Sequence, residues 1–292
     1  MDLIRLVVVY SCCIFKLEWV VDMSFRIITP VYNAENWIGK CIQSVKKQRH
    51  EDFIQVIVND GSTDKTLDCT REAVGRDKRI IILNNPSRLG TGHSHFIGHK
   101  ELSKISDDED IFVHLDGDDW FAHDNVLNVL EDTYRKKDVW VTYGNYRTTD
   151  GSPSICKDWN RKVPARMQIL RGWHFSHLRT YKKFLWDKVE LGDLTDRSGK
   201  FLTSAADTAI MSPILELAGD RVEYIDQILC VYNRDNPLNV HKDRLSDQYR
   251  CALEVVRKPR KLPLVKGCAK VNEQAMELHI DMACELPEQV HE

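Results

Sequence analysis

From Phe25 onward, short β-rich runs alternate with segments of helical period, and that alternation leaves few folds open to the chain. Phe25-Arg26-Ile27-Ile28-Thr29 is the first run, stopped by Pro30. Trp37, Ile38, Cys41, Ile42 and Val45 then recur at helical spacing. Phe53 to Val58 is a second run, closed by Asn59-Asp60-Gly61, and Ser62, Thr63 and Asp64 can each cap a following helix. Arg79 to Leu83 reads as a third strand, with a helix over about Gly92 to Lys104. Ile111 to Leu115 is a fourth, ending at Asp116-Gly117-Asp118-Asp119. Asp124 then caps a helix through Tyr134, and Val139 to Tyr143 is a fifth strand. This βαβα order predicts an α/β fold with a Rossmann-like, mostly parallel central sheet and helices on both faces. Ligands of such sheets sit beyond the carboxyl ends of the strands, so those ends are the places to look for chemistry.

The pattern loosens past Gly151. Ser152 to Arg166 reads as a loop, Trp173 to Trp186 is aromatic and basic, and Ala205 to Ala218 is a helix. Val222 to Tyr232 holds one or two short strands, and a helix runs from about Leu245 to Val256. The chain thus divides into residues 23–150, which carry the strand-end motifs, residues 151–264, and a tail from 265. Residues 1–22 read as an extension ahead of the fold. Their apolar run, Leu6 to Phe15, is shorter than the about 20 residues that span a bilayer. At most it is a peripheral membrane anchor.

With 41 basic against 44 acidic residues, the chain lacks the basic balance of a nucleic-acid binder. Its nine cysteines are odd in number and contain no CxxC pair. They read as reduced thiols in a cytoplasmic setting, which includes the cytoplasmic face of a membrane.

Three strand ends carry groups suited to a nucleoside diphosphate. After the first come Thr29-Pro30-Val31-Tyr32-Asn33, where an aromatic ring can stack on a base. After the second comes Asp60, able to accept a hydrogen bond from a pyrimidine N–H. After the fourth come Asp116, Asp118 and Asp119, hard oxygen ligands for Mn²⁺ or Mg²⁺. Taken singly, Asn59-Asp60-Gly61-Ser62 is also an ordinary turn and cap, and the acidic run a capped turn. Three acids within four positions repel one another unless a cation intervenes.

Placed one after another, these motifs resemble the family 2 glycosyltransferases of the GT-A fold, with a likeness running from about Ser24 to Leu264. The resemblance implies that Tyr32 and Asp60 hold the nucleobase, with Thr29 and Gly117 also at the donor. It implies Asp116 near the ribose and metal, and Asp118 as the main ligand of a DxD motif. It further implies inverting transfer from a nucleotide-sugar, most commonly a UDP-sugar, to a glycan, lipid-linked or protein acceptor. The general base matches Asp207, although Ala206 stands where relatives carry Glu. His241 is placed as a further metal ligand. His95 stands near the position of a relative's diphosphate-binding arginine, and Arg179 suits phosphate. Trp173, His174 and His177 share the aromatic and basic segment with Arg179. His93, His95 and His99 invite a zinc reading, but no neighbouring Cys or carboxylate closes a four-ligand shell. A sugar nucleotidyltransferase would need a Gly-rich basic loop after the first strand, which Pro30 to Glu35 does not offer. A non-catalytic nucleotide- or glycan-binding module is the remaining alternative.

Overall fold

Adjacent residues of the central strands bury their side chains on opposite faces of the sheet, and each face carries its own core. Ile28, Val56, Val58 and Phe112 belong to one core cluster, while Ile27, Ile57, Ile111 and Val113 belong to the other. This two-sided burial explains the near-continuous apolar runs in the sequence. The computed structural model describes residues 5–6, 19–20 and 23–264, apart from 159, 161–162, 164, 203, 239–244, 260 and 262. Residues 5–6 pair antiparallel with 19–20.

The first half runs β1 (Phe25–Val31), α1 (Ile38–Lys46), β2 (Phe53–Asn59), α2 (Thr66–Val74), β3 (Ile80–Asn84), α3 (Thr91–Leu102) and β4 (Ile111–His114). A short β5 (Trp120–Phe121), α4 (Val126–Lys136) and β6 (Val141–Thr148) follow. The second half contributes α5 (Ala165–Arg171), β7 (Arg179–Lys182) and two single-turn helices, α6 (Lys183–Trp186) and α7 (Leu191–Leu194). It closes with α8 (Ala206–Ala218), β8 (Val222–Tyr232) and α9 (Leu245–Val256).

Strands β1 to β8 form one sheet in the order β3-β2-β1-β4-β7-β6-β8-β5. The pairs β1–β2, β1–β4, β2–β3 and β6–β8 are parallel. Strand β7 pairs antiparallel with β4 and β6, and β5 with β8. The sheet is therefore mixed but mostly parallel, as the alternation implied.

Three local differences have physical reasons. Strand β1 continues through Pro30 to Val31. The Pro30 carbonyl accepts from Gly117 N–H on the β4 side, so the missing proline donor faces a stretch where β4 has already ended. Strand β7 forms inside the aromatic and basic segment; among Arg179, Thr180, Tyr181 and Lys182 there is no apolar alternation to announce it. Pairing on both sides holds it in place. Val222 to Tyr232 is a single strand whose register against β6 shifts near Ile225 and Ile228.

Candidate active site

The loops after β1 and β2 are tied into one wall. Asn33, at φ 46°, accepts from Thr63 N–H at 2.8 Å, and its own N–H donates to Ser62 Oγ at 2.9 Å. Asparagine tolerates that left-handed backbone. Asp60 is buried and holds the neighbouring loop: Oδ1 accepts from Asn85 Nδ2 at 2.8 Å and Leu89 N–H at 2.9 Å, and Oδ2 from Gly90 N–H at 2.8 Å. The close approach needs glycine at 61, where φ is +65° and a Cβ would meet the Ser87 carbonyl carbon at 2.4 Å. Tyr32 is partly buried beneath the Arg88 guanidinium, 4.0 Å from the ring centroid. Thr29 lies deeper. It is fully buried and its hydroxyl accepts from Gln55 Nε2 at 2.9 Å, which leaves it under the wall rather than on it.

At the end of β4 the chain turns against β1. A Cβ on Gly117 would stand 2.5 Å from Val31 Cβ, so only glycine allows the acidic turn to come this near. Its backbone N–H donates to the Pro30 carbonyl at 3.0 Å. Asp116 and Asp118 remain partly exposed, whereas Asp119 is fully buried. Asp119 Oδ1 accepts from Asn233 N–H at 2.8 Å, and Asp118 Oδ2 accepts from Asn236 Nδ2 at 2.8 Å. The loop after β8 therefore braces the acidic turn, a role that no motif in the sequence signals.

Two residues from the β7 segment join the acidic turn. His177 Nε2 lies 3.5 Å from Asp116 Oδ2 and 3.3 Å from Asp119 Oδ2, and its ring stacks on Tyr232. The buried Arg179 guanidinium reaches Asp116 Oδ2 at 3.5 Å and Asp207 Oδ2 at 3.1 Å. Asp207 is in the first turn of α8, where Oδ1 also accepts the Thr208 N–H at 2.8 Å. Residues far apart in sequence thus meet on one guanidinium. His95 is 1% exposed on α3, and burial lowers its pKa to about 4. It is neutral at neutral pH and offers no arginine-like cation. His241 lies outside the described residues.

The charges at this turn suit a divalent cation. Asp116 is held well below the usual carboxylate range: burial alone would raise it, but contact with His177 and the Arg179 charge outweigh that. Burial and the Asp116 charge push Asp118 up to about 6. Burial and both neighbouring acids raise Asp119 well above the ordinary range, and its Oδ2 has no hydrogen-bond partner. The pocket therefore resists holding three ionised carboxylates, a resistance that a hard dication relieves. Ligand atoms of Asp116, Asp119 and His177 converge within 4.8 Å of one another. Asp118, facing Asn236, is not part of that trio.

Residues 26–196, more than half of the chain, match the family described as Glycosyl transferase family 2. A glycosyltransferase of Haemophilus influenzae, itself uncharacterized, is 33% identical over 124 residues, covering 42% of this chain and 47% of that protein. Glycosyltransferase GlyA of Streptococcus pneumoniae is 33% identical over 138 residues, covering 46% and 18%. Chondroitin synthase of Pasteurella multocida is 25% identical over 210 residues, covering 71% and 20%. The chain spans less than half the length of each of these relatives. Among solved structures, S. aureus TarS 1–349 in complex with UDP-GlcNAc superposes with a TM-score of 0.62 at 20% identity, covering 80% of this chain and 65% of that one. Mannosyltransferase PcManGT from Pyrobaculum calidifontis, in complex with GDP-Man and Mn²⁺, gives 0.56 at 17% identity, covering 85% and 70%. Likeness at these identities is a likeness of fold. No helix among the described residues is long and apolar enough to cross a membrane. The family match takes in all three strand-end motifs and Arg179 and stops short of Asp207; the chain belongs to glycosyl transferase family 2.

Proposed function

We propose that this chain transfers a sugar, with inversion, from a nucleoside-diphosphate donor to an acceptor hydroxyl. One observation carries the reading: Arg179 bridges Asp116, at the end of β4, to Asp207, at the start of α8. A donor-side carboxylate and a base candidate thereby face the same crevice. On this reading residues 23–150 bind the donor and residues 151–264 the acceptor.

Asp116 and Asp118, partly exposed, would hold Mn²⁺ or Mg²⁺, with His177 and Asp119 supporting Asp116 from behind. Such a cation neutralises the charge that develops on a departing diphosphate. Tyr32 and the Asp60-braced wall would receive the nucleobase, and Gly117 lets the acidic turn approach it. The acceptor oxygen attacks the anomeric carbon as the bond to the diphosphate oxygen breaks. Asp207 takes the hydroxyl proton, and Arg179 keeps that carboxylate oriented. UDP is the favoured nucleotide: TarS was solved with UDP-GlcNAc, although PcManGT was solved with GDP-Man. The acceptor is a hydroxyl on a glycan, lipid-linked or protein substrate, met in the cytoplasm or at its membrane face.

A panel of UDP-, GDP- and dTDP-sugars, assayed for nucleoside diphosphate release with Mn²⁺ or EDTA, tests this. Mn²⁺-dependent release is expected from at least one UDP-sugar, abolished in Asp118→Ala with the fold intact. Release of pyrophosphate from a nucleoside triphosphate and a sugar phosphate, or no turnover of any donor, would overturn the assignment.

A further inference from the structure

Directly beneath Asp116 is a second polar cluster that the transfer reaction does not use. His95 and His99, four residues apart, share one face of α3. His114 ends β4, and Tyr181 lies on the adjoining strand β7. All four are buried, at 1%, 0%, 0% and 0% exposure. Ring nitrogens of the three histidines lie within 4.8 Å of one another. His99 Nε2 and His114 Nε2 are 3.2 Å apart, and the Tyr181 hydroxyl is 2.5 Å from the first and 2.8 Å from the second.

We propose that His95, His99, His114 and Tyr181 form a closed structural site for one tetrahedral dication of the zinc type, separate from the carboxylate crevice above it.

Three observations support it. First, His99 Nδ1 is 2.6 Å from the His95 backbone carbonyl, which can only accept. The proton is therefore on Nδ1, and the Nε2 lone pair is turned into the cluster, the usual outer-sphere anchoring of a metal-bound imidazole. Second, the hydrogen bonding of the cluster is incomplete. The Tyr181 hydroxyl can donate to His99 Nε2 and accept from His114 Nε2, but His95 Nδ1 is buried among them without a hydrogen-bond partner. Third, the spacing of one edge, His99 to His114, suits the ion, and Tyr181, now at hydrogen-bond distance from both, would move outward on coordination. Zinc–nitrogen bonds of 2.0–2.1 Å give a tetrahedral edge of about 3.3 Å, close to the separation of the two Nε2 atoms. Trp186 stacks on His99 at 3.8 Å and Phe112 packs edge-on at 5.2 Å, which keeps the surroundings apolar.

On binding, Tyr181 releases its proton to solvent and supplies a phenolate oxygen, completing three nitrogens and one oxygen. Imidazole favours zinc, copper or nickel over the manganese and magnesium preferred by carboxylates, so the two clusters sort their metals by ligand type. The ion would clamp α3 to β4 and β7, two residues from both Asp116 and Arg179. His93 takes no part; its ring packs edge-on against Phe201.

The test uses the full chain, purified from zinc-supplemented cells, with metal content measured by elemental analysis and Co²⁺ substituted for spectroscopy. One zinc per chain is expected both in the wild type and in the Asp116→Asn/Asp118→Asn double variant, with a tetrahedral cobalt spectrum. His99→Gln removes a ligand and weakens zinc binding at least ~100-fold. If that variant fails to fold, Tyr181→Phe keeps an aromatic ring in the core and lowers zinc affinity by ~10–100-fold, with unchanged near-UV circular dichroism. The inference is overturned if the double variant retains no zinc, if Tyr181→Phe binds zinc as tightly as the wild type, or if cobalt is octahedral. Each would leave a hydrogen-bonded core cluster without an ion.

Discussion

The two polar clusters at the end of β4, one around its last residue and one two residues beyond, are built on opposite rules. The upper one, around Asp116, is acidic and partly open, with a 30% exposed Asp116 side chain and Arg179 as its counter-charge. The lower one, around His114, is fully buried and made of neutral rings. Above, several carboxylates share one guanidinium, which leaves room for a hard cation. Below, ring nitrogens and one hydroxyl converge in the packed core. Residue type and depth of burial change together across those two positions.

The largest expected effect tests the upper cluster. Asp207→Asn should lower kcat by ~10²–10⁴-fold while donor affinity holds, since the loss is one of proton transfer. A fall in donor affinity alone, measured by calorimetry with the nucleoside diphosphate and Mn²⁺, would remove Asp207 as base. Next comes Arg179→Leu, which leaves two carboxylates without their buried counter-charge. A loss of ~3–5 kcal/mol in urea unfolding is expected, together with loss of transfer. A variant of wild-type stability would mean that the bridge to Asp116 and Asp207 carries little energy. Gly117→Ala should cost ~1–3 kcal/mol, because the new methyl enters the space of Val31. The zinc content of the lower cluster should be untouched, and joint loss of both would show that the clusters are not independent.

The smallest effect has the opposite sign. In EDTA, Asp118→Asn should raise stability at neutral pH by about 1 kcal/mol, allowing for the partial exposure of the side chain. Asp118 is pushed up to about 6, so the folded chain keeps a proton between about pH 4 and 6 that the unfolded chain has lost. Metal-free stability therefore falls as pH rises through that window, and asparagine, having no such proton, escapes the fall. Thermal melts from pH 4 to 8 check both points. Equal melting curves for the two chains would show that the acidic turn is relaxed without a cation.

How much of this was legible in the sequence depended on whether a group's partners were its neighbours. Asp60 and the Asp116 to Asp119 run are contiguous at strand ends, so spacing alone marked them. Thr29 was misleading because β1 is buried on both faces, which leaves no alternation to tell wall from interior. His95 looked like a ligand-facing group, yet its side of α3 turns into the core. The bracing of Asp118 and Asp119 by Asn236 and Asn233 had no local signal, since it depends on where β8 ends relative to β4. Strand β7, too polar to announce itself, delivers His177 and Arg179 by pairing rather than by pattern. For the same reason the company of His95 and His99 was hidden: His114 and Tyr181 reach α3 only through the sheet.

The Asp60 carboxylate, with its three donors from the 85–90 loop, has a thermodynamic corollary. A segment already immobilised in the empty protein does not lose backbone freedom again when a flat ring is laid against it, a loss otherwise of ~1–2 kcal/mol per residue. If this wall receives the nucleobase as proposed, capture should be nearly rigid-body, with discrimination among bases set by contact geometry instead of by loop reordering.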